Sequence, residues 1–135
     1  MPKVDPAKIW SLNYRLLGAV IAQVSAEIAS LGLEAKELFL LAELDDHPYP
    51  AELSSRLSMP KPTVSVYVKR LEAAGFVRRE IDAEDLRRHK LLLTPAGRKV
   101  MSQGLARLSE AFGERLTRLT AREQLELKDL LERLS

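Results

Sequence analysis

The chemistry that this sequence offers is concentrated in one basic segment. Residues 61–99 contain ten lysines and arginines against five acids, a net charge of +5, whereas the whole chain of 135 residues carries only +2. The remainder of the chain is therefore mildly acidic, with a net charge of −3. A cluster of positive charge on an otherwise acidic protein is typical of a surface that binds the phosphates of a nucleic acid.

The start of this segment also offers groups that can contact base edges. These groups are the positions of a predicted helix over residues 61–74 that lie outside its apolar stripe. They are Lys61, Thr63, Ser65, Val66, Tyr67, Lys69 and Arg70. Hydroxyls and a lysine can hydrogen-bond bases or phosphates in the major groove, and a valine can touch thymine methyl groups. An ordinary solvated helix face is the alternative, but the basic hairpin that follows favours contact with DNA.

Hydrophobic spacing predicts the elements that would hold these side chains. Apolar residues three or four positions apart indicate helices over about 6–31, 35–44, 51–57, 61–74 and 95–119, and Thr120 with Glu123 forms a capping box for a last helix. Residues 77–81 and 89–93 are predicted strands, and the polar stretch DAEDLRRH forms the tip of their hairpin. The fold class is therefore mainly α (α+β), a winged helix-turn-helix with a two-stranded wing.

The two ends of the chain carry more apolar surface than this small lobe can cover. The first helix and the last two are long and amphipathic, whereas the predicted winged lobe spans only residues 33–94. An uncovered apolar stripe usually marks a partner surface. We therefore expect residues 1–32 and 95–135 to form a helical dimerisation region, in which a twofold homodimer buries the stripes.

The composition argues against several other kinds of protein. The chain contains no cysteine and only two widely separated histidines, so we expect no metal and no cofactor. It has neither a glycine loop for phosphate nor a nucleophile with a nearby base, so we expect no catalytic residues and no enzyme activity. The longest apolar run, residues 16–22, is far short of the roughly 20 residues of a membrane span, and the N-terminus lacks a signal peptide. We therefore expect a cytoplasmic protein without a membrane partner.

Five pieces of sequence, taken in order, resemble the MarR family of winged-helix transcriptional regulators. They are KPTVS at 61–65, LEAAGFV at 71–77, Arg79, DAEDLRR at 82–88 and LTPAG at 93–97. They are similar to the start of the family's recognition helix, the end of its helix pair, the arginine that opens its wing, its Asp-x-Arg wing motif and the junction after the wing.

The sequence departs from the family pattern at three positions around the turn. Ser54 stands where the family usually has alanine, Ser58 replaces a common turn glycine, and Pro60 replaces a serine that often caps the recognition helix. The cap of that helix must then come from another residue, and Ser58 is the candidate that we expect.

The resemblance implies that Arg87 enters the minor groove of DNA while Asp85 orients it. Arg88 has no such partner within the motif. The predicted DNA-contacting residues are Lys61, Pro62, Thr63, Ser65, Val66 and Lys69 on the helix and Asp85, Arg87, Arg88 and Lys90 on the wing. Arg79 either contacts a phosphate or braces the wing.

The resemblance further implies a regulator that responds to a ligand. Small aromatic acids often bind in this family between the dimerisation helices and the DNA-binding lobe. Trp10, Tyr14 and Arg15 would offer such an effector an aromatic wall and one cation, and core or interface packing is the alternative role of each. We therefore expect a homodimeric repressor that binds inverted repeats in double-stranded DNA and is released by an aromatic or phenolic effector. A winged-helix protein-interaction module that binds no DNA is the competing function.

Overall fold

A computed structural model describes residues 3–135, which form six helices and one two-stranded sheet. The helices are α1 (Pro6–Ser30), α2 (Ala35–Glu43), α3 (Pro50–Leu57), α4 (Lys61–Ala73), α5 (Pro95–Leu116) and α6 (Ala121–Leu134). The strands are β1 (Val77–Ile81) and β2 (His89–Leu93), which lie between α4 and α5 along the chain. This order confirms the predicted fold class, although α5 ends at Leu116 rather than near residue 119.

The apolar stripes of the short helices form the core of the winged lobe. The fully buried side chains include Leu38 and Leu41 of α2, Leu53 of α3, Val64, Val68 and Leu71 of α4 and Leu91 of β2. Burial of each such side chain contributes on the order of 2 kcal/mol. Since the stripe of α4 faces this core, the opposite face of α4 is left to the solvent.

Hydrogen bonds from the chain itself hold the wing against its neighbours. The two strands pair antiparallel, with Val77 opposite Leu93 and Ile81 opposite His89. The amide of Leu91 donates to the carbonyl oxygen of Pro48 at 2.8 Å, which ties β2 to the segment between α2 and α3. The wing is therefore attached along its base to the α2–α3 segment.

The turn before α4 differs from the expectation that Ser58 caps this helix. Ser58 is instead the C-cap of α3 and has a left-handed backbone with φ 51° and ψ 45°. Pro60 is the N-cap of α4, and no side chain caps that helix. The Ser54 hydroxyl donates to the Met59 carbonyl oxygen at 2.6 Å. The expected cap is therefore wrong, because Ser58 occupies the position of the turn glycine that it replaces.

Two predicted helix starts are held by side-chain caps. The Thr94 hydroxyl accepts from the Gly97 amide at 3.0 Å and donates to the Gly75 carbonyl oxygen at 2.6 Å. In the capping box of α6, the Thr120 hydroxyl accepts from the Glu123 amide and the Glu123 carboxylate accepts from the Thr120 amide. Both caps satisfy amides that a helix start would otherwise leave unpaired.

The chain divides into two compact units. One combines the chain up to Val24 with Ala106–Ser135, and the other is Ser25–Leu105, which contains the predicted lobe of residues 33–94. The first unit exposes large apolar side chains on two helices. They are Ile9, Trp10, Leu12, Tyr14 and Leu17 on α1 and Leu125, Leu130, Leu131 and Leu134 on α6. No single helix within residues 3–135 is long and apolar enough to cross a membrane, and only α1 and α2 together, bent by 83°, meet that test.

Candidate nucleic-acid interface

The outer face of α4 consists of the residues that the sequence analysis selected for base contact. Lys61, Pro62, Ser65, Val66 and Lys69 are exposed, and Thr63 is half-buried. Val66 is an apolar side chain that is 55% exposed and therefore available to a partner surface. The first turn of α4 contains no acid, so nothing there offsets the positive end of the helix dipole. This face combines hydroxyls, an apolar methyl pair and cations, which is the mixture that reads bases in a major groove.

Asp85 and Arg87 form a local clamp at the tip of the wing. Asp85 Oδ1 accepts from the Arg87 amide at 3.0 Å and from Arg87 Nε at 3.2 Å. The Arg87 side chain lowers the pKa of the Asp85 carboxyl, which therefore stays charged at neutral pH. The Arg87 side chain is nevertheless 91% exposed. Asp85 thus holds one edge of the guanidinium while the rest of it projects from the tip.

Arg88 has partners that its own motif does not reveal. Its guanidinium carbon lies 3.6 Å from the centroid of the Tyr49 ring, a cation–π contact with the α2–α3 segment. Arg88 Nη2 also lies 4.0 Å from Oε1 of Glu52. The adjacent arginines of the wing tip therefore differ, because Arg87 projects into solvent and Arg88 is folded back onto the lobe.

Several other arginines of the basic segment are engaged within the chain. Arg79 Nε lies 2.9 Å from Glu72, which links β1 to the end of α4. Arg98 makes two hydrogen bonds of 3.1 Å to the Asp45 carboxylate, and this contact lowers the pKa of Asp45. Both pairs join separate elements of the lobe.

The lysines of the same segment differ from these arginines in their ion pairing. Within the residues that the structure describes, the lysines at 61, 69, 90 and 99 form no ion pair. Lys90 sits in β2 opposite Glu80, and its charge helps to lower the pKa of Asp82. A lysine that forms no internal ion pair can contact a phosphate without first breaking one.

A recess of about 360 Å³ opens between α3, α4 and β1. Pro50 and Ala51 line it from the start of α3, Lys61 and Ser65 from α4, and Arg79 from β1. Two cations and a hydroxyl on one concave wall suit a phosphate group. Arg79 can therefore brace the wing and still face this recess.

The residues proposed for an effector lie on the exposed part of α1. The rings of Trp10 and Tyr14 are 6.2 Å apart between centroids and are inclined by 35°. Each residue is 65% exposed, and Arg15 is exposed as well. The two aromatic residues, one helical turn apart on α1, thus form a ring pair on an exposed surface of the chain.

Sequence reasoning missed Tyr49, Glu52 and Asp82. Asp82 is a buried acid that accepts a hydrogen bond of 2.6 Å from the Tyr49 hydroxyl. The available signal was an aromatic residue enclosed by two prolines in the turn DDHPYP, where exposed polar residues are more usual. Nothing in that pattern indicated which distant residue the tyrosine would contact.

The sequence and the fold of this chain are both similar to those of known proteins. Residues 31–88 match the sequence model of the MarR family. An HTH-type transcriptional repressor of Mycobacterium tuberculosis is 32% identical over 136 residues, which cover 99% of this chain and 98% of the relative. A crystal structure of a M. tuberculosis MarR family protein in complex with salicylic acid is 30% identical, covers 98% of each chain and superposes with a TM-score of 0.76. The S. aureus MepR–DNA complex, 18% identical over 98% of this chain and 97% of that chain, has the same fold with a TM-score of 0.78.

Proposed function

This chain belongs to the MarR family, and from that premise we propose that it is a transcriptional repressor that binds inverted-repeat DNA as a homodimer. The observation that carries the proposal is the pairing of the exposed face of α4 with an arginine held out by Asp85 at the wing tip. The M. tuberculosis relative, which is named a transcriptional repressor and matches almost the full length, supports the same function. The protein would act in the cytoplasm, in contact with the DNA that it regulates.

In this proposal α4 lies in the major groove and reads bases with its first half. Thr63 and Ser65 offer hydroxyls, Val66 offers methyl groups, and Lys61 and Pro62 form the leading end of the helix. Each good base contact discriminates by about 1–3 kcal/mol. Lys69, one helical turn farther along α4, would contact the sugar-phosphate backbone of the DNA.

The wing would read the adjacent minor groove through Arg87. A narrow A·T-rich groove has an enhanced negative potential that favours an inserted guanidinium. Because Asp85 already restrains Arg87 in the free protein, less side-chain entropy is lost on binding than for a free arginine. The proposal therefore assigns wing specificity to Arg87 and phosphate contacts to Lys90 and to the recess formed by Lys61 and Arg79.

The dimer would be formed by the residues outside the winged lobe, 1–32 and 95–135. The exposed apolar side chains of α1 and α6 are the surface that twofold pairing would bury. Twofold symmetry then places the two α4 helices in successive major grooves about 34–36 Å apart, which matches an inverted repeat.

An aromatic or phenolic acid is the effector that we propose for this repressor. The M. tuberculosis MarR family structure contains salicylic acid and shares 30% identity with this chain. The neighbouring rings of Trp10 and Tyr14 would provide stacking surface, and Arg15, the next residue along α1, would provide a charge for a carboxylate. If salicylate does not weaken the affinity of the protein for DNA, the effector proposal fails and these residues serve only interface packing.

The DNA-binding proposal is tested by measuring affinity for duplexes selected from a random library, at several salt concentrations. We expect a steep loss of affinity with salt, because each neutralised phosphate releases counterions. Arg87→Ala should weaken specific binding strongly, whereas the matched control Arg122→Ala, which removes an exposed charge from α6, should not. A parent protein that selects no sequence and binds DNA without salt dependence would contradict the proposal and favour a protein-interaction module.

A further inference from the structure

The base of the wing tip is closed by a buried carboxylate. Asp82, the residue after β1, is only 5% exposed. Its Oδ2 accepts from the Tyr49 hydroxyl at 2.6 Å, and its Oδ1 accepts from the Glu84 amide at 2.9 Å. The bond from Tyr49 is the main reason why the pKa of Asp82 is lowered, and the Glu84 amide adds to this effect. Asp82 is therefore a charged acceptor that depends on Tyr49 for one of its two partners.

The other end of the wing tip converges on the same tyrosine. The amide of Asp82 donates to the Arg88 carbonyl oxygen at 3.0 Å, which closes the tip between these two residues. The Arg88 guanidinium stacks on the face of the Tyr49 ring. We call Tyr49, Asp82 and Arg88 the wing clasp. In this clasp the Tyr49 side chain, from the α2–α3 segment, holds both ends of the tip.

The tip beyond the clasp has few other attachments. Leu86 is 77% exposed, and within residues 3–135 Asp85 forms hydrogen bonds only to Arg87 and, through its carbonyl oxygen, to the Arg88 amide. The direction in which Arg87 projects is therefore set by how residues 82 and 88 are held. A rotation of the tip at its base would move the exposed guanidinium away from any groove that α4 has aligned.

We propose that Tyr49 is a positioning residue for minor-groove recognition, acting through Asp82 and Arg88 to fix the orientation of Arg87. This inference rests on the proposed function. It also changes the role expected for Arg88, which here supports the wing from within the lobe and does not contact DNA. Tyr49 contributes a ring face to one end of the tip and a hydroxyl to the other, and each contribution can be removed separately.

Two conservative variants separate positioning from simple charge contact. Tyr49→Phe keeps the ring under Arg88 but removes the donor to Asp82, leaving a buried charged acceptor short of one bond. Arg88→Lys keeps the positive charge but loses the flat guanidinium that stacks on the ring. If Arg88 merely contacted a phosphate, lysine would replace it well, so the proposal requires Arg88→Lys to fail.

Tyr67→Phe is the matched control. The Tyr67 hydroxyl also has a carboxylate neighbour, Glu34, and burial with this neighbour raises the pKa of Tyr67. Tyr67 lies on α4, outside the clasp, and contacts Arg70 at 5.7 Å from its ring centroid. The control therefore loses a hydroxyl of similar chemistry without touching the base of the wing.

The test uses duplexes that differ only in the minor groove. Sites selected by the parent protein are resynthesised with one A·T pair under the wing replaced by G·C or by inosine·C. The two replacements look alike in the major groove, but only guanine places an amino group in the minor groove. The ratio of the two dissociation constants therefore measures insertion of the wing and is insensitive to the contacts of α4.

We expect the parent protein to bind the inosine duplex about tenfold more tightly than the G·C duplex, a typical discrimination for one base pair. In Tyr49→Phe and Arg88→Lys this ratio should fall close to one, and affinity for the selected site should fall about tenfold, the typical cost of losing recognition of one base pair. Trypsin should cut the DNA-free variants faster after residue 87 or 88. Tyr67→Phe, even where it changes affinity through the contacts of α4, should keep the parent's ratio of the two dissociation constants and its rate of cleavage at the wing, because the hydroxyl that it removes lies outside the clasp.

A Tyr49→Phe protein that melts like the parent and keeps the discrimination ratio would overturn the inference, and so would an Arg88→Lys protein that binds like the parent. If Tyr49→Phe fails to fold, Arg88→Lys decides the question alone, because it leaves the bond between Tyr49 and Asp82 in place. A parent protein that shows no sequence-specific binding would instead refute the proposed function, and the inference with it. The two failures are distinguishable because the second is visible without any variant.

Discussion

Replacement of Gly97 by alanine is expected to destabilise the winged lobe, although alanine is the better helix former. Gly97 lies in the first turn of α5, where a Cβ would stand 1.9 Å from the Phe76 carbonyl oxygen and 2.8 Å from its carbon. Real Cβ atoms essentially never come closer than 3.0 Å, so one of the two segments must shift by more than an ångström. The obstacle is backbone, which cannot rotate away as a side chain can.

The magnitude follows from two opposed effects. Removing a glycine from a helix gains up to about 1 kcal/mol, because the unfolded chain loses conformational freedom. Overpacking costs about 1–3 kcal/mol and occasionally more, and a backbone clash of this depth lies at the upper end. The shift would also strain the hydrogen bond of 3.1 Å from the Thr94 amide to the same Phe76 carbonyl. A net loss of about 2 kcal/mol would lower the melting temperature by roughly 8 °C in a chain of this size.

Thermal denaturation followed by circular dichroism at one protein concentration is the assay, since the melting temperature of a dimer depends on concentration. Gly113→Ala, also in α5, is the matched control, because no atom of the described residues lies within 4 Å of its Cβ position, and it should melt at or above the parent temperature. Gly104→Ala should fall between the two, since its Cβ would meet the Leu38 side chain at 2.7 Å and that side chain can move. A Gly97→Ala protein as stable as Gly113→Ala would refute the close approach of α5 to Phe76.

Three further outcomes are expected. Lys69→Ala should reduce the salt dependence of DNA binding by about one counterion, whereas Arg70→Ala should change it less, because Arg70 pairs with Glu34 in the free protein. If the plots of log affinity against log salt concentration had equal slopes for both variants, this would argue against the role of unpaired lysines. Arg98→Gln should lower the melting temperature at neutral pH but not in strong acid, because Arg98 lowers the pKa of Asp45 in the folded protein. A carboxyl with a lowered folded pKa stabilises the fold above its unfolded pKa of about 3.9 and loses that effect as the pH falls through the folded pKa. A difference in melting temperature from the parent that persists in strong acid would contradict this. Sedimentation should show a dimer at micromolar concentration, and Leu130→Asp on the exposed apolar face of α6 should shift the equilibrium towards the monomer. A parent protein that sediments only as a monomer would remove the basis for twofold DNA binding.

The elements of this protein could be predicted from its sequence because their signals are local. The stripe of Val64, Val68 and Leu71 repeats every three or four residues, and that spacing already decides which face of α4 is buried. The cap at Thr94 and the box of Thr120 and Glu123 depend on residues at most three positions apart. Such patterns mean the same thing wherever the segment lies, so the order of helices and strands, and with it the winged fold, follows from them.

The partners of the charged side chains were decided only by the tertiary structure. Arg88 resembles its neighbour Arg87 in the sequence, yet Tyr49 lies across its guanidinium because the α2–α3 segment runs beside β2. Arg98 is one of ten cations in the basic segment, and nothing near it in the sequence indicates that the fold pairs it with Asp45, 53 positions away along the chain. Local periodicity determines which side of an element faces outward, but an ion pair depends on which distant segment arrives there, and no local pattern encodes that arrival.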